Sequence, residues 1–360
     1  MRRFHGAIVV MFIAVISLPL AANLTGHDGA DPGAENRDLA TFADGPDKWF
    51  GDHFGFRAML VRWYGESRLY LLGVSPTQRV ALGRHGWFFY LDDGSVEDYT
   101  RSDPMTPGAL RNWRDELTQV RDWLAARGIA YVFTIAPDKY AIYPEEMPPA
   151  LIRITQTSRI DQVFEVVGDT GVAALDLRPA LLAAKSRERV YQKTDTHWNE
   201  RGAFAAYQQI IGAVRVQLPA VPPAWTRDDF EAVEERIEGL DLARMMGLPR
   251  VLSEADLRLV AKRQRRARVV EPPGASPSAE EGYLVTEIPG SSLPRAVIFR
   301  DSFTSGLVPF LSEHFSRAIY LWQNDFDSNA VLAEHPDVVI QQIVGRHLHE
   351  FIPSPELIPR

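Results

Sequence analysis

The chain has 360 residues, 46% hydrophobic and 24% charged, with a formal net charge of −8. That is enough for one large or two modest globular domains with a substantial core, and the acidic balance argues against a nucleic-acid partner. There is no cysteine, which excludes disulfides, thiolate zinc sites and a cysteine nucleophile and suits an exported protein.

Arg2 and Arg3 precede an apolar run from Ala7 to Leu20, with Ala21 and Ala22 as small residues near a cleavage site. This is the layout of a signal peptide; carried on to Leu24, the run also reaches the minimum for a membrane span. Residues 1–24 therefore read as a signal peptide or an N-terminal membrane anchor, and either puts the remainder outside the cytoplasm. Residues 25–47, rich in Gly, Asp, Ala and Pro, read as a tether, and 48–352 as the folded domain. Phe54 to Leu72 has the apolar spacing of a helix, and Gly83 to Tyr90 reads as a turn and an aromatic strand.

The clearest helix runs from Pro107 to about Arg127, capped by Thr106 and ended by Gly128, with Leu110, Trp113, Leu117, Val120, Trp123 and Leu124 on its apolar stripe. A buried strand follows at Ala130 to Ala136. Next come a helix near Ile160 to Val167, a strand at Val172 to Leu177 and a helix opened by Pro179. A further helix carries Phe204, Tyr207, Ile211 and Val214; another is expected from Leu307 to Phe315, then strands at Ala318 to Trp322 and Val338 to Ile343. Strands alternating with helices imply an α/β fold, a mostly parallel sheet with helices on both faces. The span 218–294 breaks this rhythm and reads as an insertion with long loops, including Pro272 to Pro277; its basic run, Lys262 to Arg268, reads as a solvated face.

Two segments carry chemistry. In Asp195-Thr196-His197-Trp198, an extended backbone would point Asp195 and His197 to one face, so that the carboxylate could fix the imidazole tautomer. In Phe299-Arg300-Asp301-Ser302-Phe303, Ser302 sits between an apolar run and a helix-like stretch, where backbone N–H groups could stabilise an oxyanion. Each has a plain alternative: Ser302 as a helix cap, His197 as a structural histidine, with Asn199 capping the next helix. Asp195 and His197 could also ligate a cation with His347 or His349, but no helical His-Glu-x-x-His spacing occurs, so no metal is expected.

These segments, with Phe50 to Arg57, Gly83 to Phe89, Pro137 to Pro144, Gly202, Leu307, Pro309-Phe310-Leu311 and Val338-Val339-Ile340, resemble the AlgX/AlgJ group of exopolysaccharide O-acetyltransferases with SGNH-hydrolase-like domains. The resemblance covers roughly residues 48 to 350. It implies a circularly permuted SGNH-hydrolase-like fold and a triad of Ser302 as nucleophile, His197 as base and Asp195 as orienter. It further implies an acetyl-serine intermediate, a secreted or cell-surface polysaccharide acceptor, no cofactor, and a membrane-bound O-acyltransferase as donor partner. The location implied is the periplasm, with residues 7–24 inserted in the inner membrane if they are the anchor. Arg300 stands where the usual nucleophile block has Gly, and Gly345-Arg346 where the family often has Glu-Arg. Lys139, Tyr143, Trp198 and Arg300 are candidate substrate contacts; the alternatives are a solvated Lys139, a core Tyr143 and a Trp198 packed beneath the triad. An esterase using the same triad, or a non-catalytic polysaccharide-binding scaffold, are the rival functions.

Overall fold

A computed structural model describes residues 2–24, 39–270 and 283–350. Part of the expected tether (25–38), the Pro272 to Pro277 loop and the last residues of the 48–352 span lie outside the described residues.

The strands, in chain order, are β1 (Val80–Leu82), β2 (Phe88–Tyr90), β3 (Ala130–Ala136), β4 (Ala174–Asp176), β5 (Phe230–Glu238), β6 (Ser253–Ala261), β7 (Arg268–Val270), β8 (Tyr283–Glu287), β9 (Arg295–Arg300), β10 (Arg317–Trp322) and β11 (Val338–Val344). Contacts divide the chain into two compact units. The first comprises Met1–Tyr90, Lys193–Asp195 and Arg236–Glu254; the second comprises Leu91–Gln192, Thr196–Glu235 and Ala255–Arg360.

The second unit is built on a seven-stranded sheet in the order β4-β3-β11-β9-β10-β8-β7. The pairs from β4 to β10 are parallel, while β8 runs antiparallel to β10 and to β7. Period-two alternation sorts the strand residues. Tyr131, Phe133 and Ile135 join Val297, Phe299, Val339 and Ile343 in one core with Trp113, Leu117, Val120 and Leu124 of the helix Pro107–Ala125. The helix Glu200–Gln217, with Phe204, Tyr207, Ile211 and Val214 buried, also packs against β3.

Local chemistry explains the boundaries. Thr106 Oγ accepts the Ala109 N–H at 3.1 Å to open Pro107–Ala125, and Gly128 ends it with φ +70°, the left-handed conformation glycine adopts without strain. Ser158 and Asp161 form a capping box on Arg159–Val167. Asn199 Oδ1 accepts from the N–H groups of Arg201 and Gly202 at 3.1 and 3.0 Å, the cap expected from sequence.

Two expectations are corrected. The helix expected from Leu307 to Phe315 is two short turns, Val308–Leu311 and Ser312–His314; Pro309, fit only for the first turn of a helix and unable to bond back to the Ser305 carbonyl, also separates them from the turn Ser302–Gly306. The span 218–294, expected as an insertion with long loops, contains β5 to β8, and two of these extend the main sheet.

In the first unit, β1 and β2 pair antiparallel, and Val80 and Phe88 pack against Leu242, Met246 and Leu248. The helix Arg57–Glu66 continues into a wider turn over Ser67–Leu71. Arg2–Leu24 is helical; counted over the described residues alone, no helix is long and apolar enough to cross a membrane.

Candidate active site

Three adjacent parallel strands deliver polar residues at their carboxyl ends, where open α/β sheets place ligands. Asp138 follows β3, Arg346 follows β11, and Asp301-Ser302 follows β9. Asp138 and Arg346 form a buried ion pair at 2.6 Å, and Asp138 also accepts the Arg346 N–H at 2.8 Å. Burial works against the guanidinium charge, but Asp138 outweighs it and holds the Arg346 pKa above its ordinary range. Gly345-Arg346, the departure from the family pattern, thus still carries a structural salt bridge.

Asp301 is 6% exposed and bolts the Ser302 turn to β11. Its Oδ1 accepts the Phe303 N–H and Gln342 Nε2, each at 2.9 Å, and its Oδ2 accepts the Val344 N–H at 2.6 Å. Burial raises the Asp301 pKa, while the bonds from Gln342 and Phe303 oppose that rise. The Phe303 N–H is therefore committed to Asp301 and is not a donor for an oxyanion.

His197 faces Ser302, with Nε2 2.8 Å from Oγ. For the hydroxyl to donate to Nε2, the ring proton must sit on Nδ1; the Thr196 hydroxyl lies 3.2 Å from that atom. Phe303 packs against the imidazole at 4.8 Å between ring centroids, limiting its rotation. The chain around His197 is pinned at its base by a bridge between Tyr191 and Trp198 and by Asn199, whose N–H reaches the Val190 carbonyl at 3.1 Å.

Asp195 falls in the first unit. The backbone before it is clamped there: Lys193 and Thr194 donate their N–H groups to Glu254 at 2.9 Å each, and Leu242 donates to the Thr194 carbonyl at 3.0 Å. A carboxylate oxygen of Asp195 lies within 4.8 Å of one from Asp241. Residues 193–197 form a run of bends instead of the extended backbone considered from sequence.

The candidate substrate contacts are mostly interior. Trp198, 5% exposed, donates Nε1–H to the Phe303 carbonyl at 3.0 Å and packs edge-on against Phe303, a supporting place beneath the serine turn. Tyr143, 6% exposed, accepts the Val190 N–H at 3.0 Å. Lys139 is not the solvated lysine of the plain alternative: it is buried and donates to the Gln192 carbonyl at 3.1 Å. Arg300 is buried too; its Nη1 reaches Ser305 Oγ at 3.1 Å and its guanidinium lies 4.2 Å from the Trp322 ring centroid. Burial lowers the Arg300 pKa. His349 Nδ1 lies 2.8 Å from the Arg346 carbonyl, and His347 Nε2 lies 3.9 Å from Asp93.

Asp301 and Gln342 were missed in the sequence as site residues. The signal for Gln342 was present: Val338-Val339-Ile340-Gln341-Gln342-Ile343-Val344 puts two amides inside an otherwise apolar strand, and buried amides must find partners. Gln341 accepts from Tyr131 Oη at 2.6 Å, and Gln342 accepts from the Thr304 hydroxyl.

A parallel sheet with a serine turn after one strand and an imidazole on its hydroxyl defines an SGNH-hydrolase-like domain. The chain belongs to the family of SGNH hydrolase-like domains of the acetyltransferase AlgX, whose model matches residues 80–329. A protein of Pseudomonas syringae pv. tomato named "Probable alginate O-acetylase AlgJ" is 35% identical over 143 residues, 39% of this chain and 34% of that protein. Its namesake from Pseudomonas aeruginosa is 26% identical over 233 residues, 63% of this chain and 55% of that protein. The match thus spans about a third to about half the length of these curated relatives. Among solved structures, Bacillus cereus PatB1 with a sulfonyl adduct is similar at TM-score 0.55 and 13% identity, over 76% of this chain and all of that one. That likeness is one of fold.

Proposed function

We propose that this protein is an O-acetyltransferase acting on a secreted or cell-surface polysaccharide through an acetyl-serine at Ser302. The observation that carries the reading is the 2.8 Å approach of His197 Nε2 to Ser302 Oγ, in a chain of the AlgX family. The alginate O-acetylase name borne by relatives supports the same reaction class.

His197 takes the Ser302 proton as Oγ bonds to the acetyl carbon of the donor, and the donor's leaving group departs with a proton returned from His197. A sugar hydroxyl then gives its proton to His197 and attacks the acetyl-serine; the bond to Oγ breaks and Oγ regains the proton. Asp195 orients the imidazole and favours the Nδ1–H tautomer. The donor partner is a membrane-bound O-acyltransferase, and the protein works in the periplasm, with residues 1–24 as its signal peptide or its anchor.

The full chain, incubated with an acetyl-phenyl ester with and without oligosaccharide, should form acetylated sugar at the expense of free acetate. Acetate alone would favour the esterase reading. Ser302→Ala and His197→Ala should each lower ester turnover by about a thousandfold or more while leaving the circular dichroism unchanged. Unchanged turnover in Ser302→Ala would leave the scaffold reading standing. Asp195→Ala should lose somewhat less; full activity in that variant would mean that another group orients the base.

A further inference from the structure

The second unit leaves a tryptophan exposed on the sheet edge that carries the nucleophile. Trp322 ends β10 and stands in parallel register with Arg300, two residues before Ser302. Alternation fixes its side of the sheet. Val297, Phe299, Ile319 and Leu321 enter the core under the helix Pro107–Ala125, so Arg300 and Trp322 take the opposite face. That is the face of the turns after Ser302, because Tyr320, two residues before Trp322, bonds Ser312 there at 2.8 Å. Neighbouring strands lie about 4.8 Å apart and two residues rise about 6.6 Å, which sets Ser302 on the order of 8 Å from Trp322 along the backbone. That distance is comparable with the length of a disaccharide.

Packing alone does not account for this ring. Trp322 is 40% exposed at the carboxyl edge of a parallel sheet, where open α/β folds place ligands. Its indole N–H has no partner among the described residues. Tyr283, the other aromatic ring of comparable exposure among the described residues of this unit, has its hydroxyl tied to Glu334 at 3.2 Å. One side of the indole is covered by the Arg300 guanidinium, 4.2 Å from the ring centroid. Arg300 Nη1 in turn donates to the Asp301 carbonyl at 3.3 Å and to Ser305 Oγ at 3.1 Å. The cation thus joins the serine turn to the indole and fixes the tilt of the ring relative to Ser302. A Gly at position 300, the residue usual in the nucleophile block, could do neither.

A flat indole, backed on one face and open on the other, is what a pyranose ring selects. Sugar C–H bonds pack on the π face, and a sugar hydroxyl accepts the indole N–H. Around it Ser305, Gln323 and Asn324 offer hydroxyl and amide groups, unlike the apolar surround of a protein-binding hot spot. Building on the polysaccharide reading of the Ser302 site, we propose that Trp322 stacks on a sugar ring of the acceptor chain and so sets which hydroxyl faces the acetyl-serine. The stacking place considered for Trp198 falls to Trp322, since Trp198 is buried with its N–H on the Phe303 carbonyl.

The test uses the full chain carrying Ser302→Ala, which holds an acceptor without turnover, and two probes, alginate tetrasaccharide and cellotetraose. Saturation-transfer NMR should show the ring C–H protons of at least one probe in contact with the protein. Adding Trp322→Ala should weaken that binding about tenfold or more, and Trp322→Phe, which keeps a stacking face, should restore it to within about threefold of the parent. With Ser302 intact, Trp322→Ala should raise the KM for the bound sugar as acetyl acceptor by a similar factor, with a much smaller change in kcat. Urea midpoints of both Trp322 variants should stay close to the parent. The proposal is overturned if neither probe contacts the Ser302→Ala chain, or if Trp322→Ala binds like the parent. It is overturned as well if both Trp322 variants lose stability and binding together, which would make the ring a packing element. Trp322-dependent binding without acetyl transfer would sink the transferase reading and leave this one standing. Transfer that is unchanged in Trp322→Ala would do the reverse.

Discussion

Burial at single residues sets both the order of the site and its sensitivity to acid. His314 is fully buried: Nδ1–H donates to the Pro222 carbonyl at 3.2 Å, and Nε2 accepts from Tyr207 Oη at 2.6 Å. Tyr207 Oη in turn accepts the Trp225 N–H at 2.7 Å, so this chain of bonds requires the neutral ring. Burial pushes the His314 pKa down to about 4, from about 6.5 when unfolded. As pH falls below about 6.5 the unfolded chain takes up a proton that the native ring refuses. Stability from this group is therefore full above about 6.5 and is lost progressively down to about 4. We expect His314→Phe to be less stable than the parent near neutrality but to lose less on acidification, the difference amounting to about 3 kcal/mol across that window. Urea midpoints at closely spaced pH values measure it, and parallel pH profiles would contradict the neutral, buried assignment.

Among elements, the loop from Tyr191 to Trp198 matters most, because it carries the imidazole. It is held against the start of the helix Glu200–Gln217 so closely that a Cβ on Gly202 would lie 2.2 Å from the Val190 carbonyl oxygen and 2.9 Å from Trp198 Cβ. Backbone cannot rotate away as a side chain can, so helix and loop would have to separate. Gly202→Ala should cost about 2 kcal/mol or more by denaturant titration and should lower ester turnover together with stability. A variant as stable and active as the parent would mean that the loop is not held there. The basic run is tied down at the element scale as well. Arg266 and Ala267 donate their N–H groups to the buried Glu313, at 2.9 and 3.1 Å to Oε1, and Arg263 lies over Trp225. Its side chains are largely exposed, as the sequence suggests, but its backbone is an anchor for the turns after Ser302.

Over the whole molecule, what could be read from sequence was what obeys local rules. The caps at Thr106 and Asn199, the buried strand Ala130–Ala136 and the alternation that builds a parallel sheet all depend on near neighbours. The break between Ser302–Gly306 and Val308–Leu311 was legible too, because Pro309 fits only the first turn of a helix. The contribution of β7 and β8 to the sheet was not, because their antiparallel pairing is a long-range choice with no local signature. At the site, Ser302 and His197 were visible as residue types at telling positions. The Asp301 hinge onto Gln342 and Val344 was not, because it joins residues that only the fold of the sheet brings together. The most direct test of acyl transfer is mass spectrometry of the full chain, acid-quenched during turnover of an acetyl-phenyl ester. The account predicts one added acetyl group on the peptide carrying Ser302, lost on adding an acceptor oligosaccharide and absent from Ser302→Ala. Turnover with no acetyl group on that peptide, or acetylation persisting at another residue in Ser302→Ala with activity retained, would contradict it.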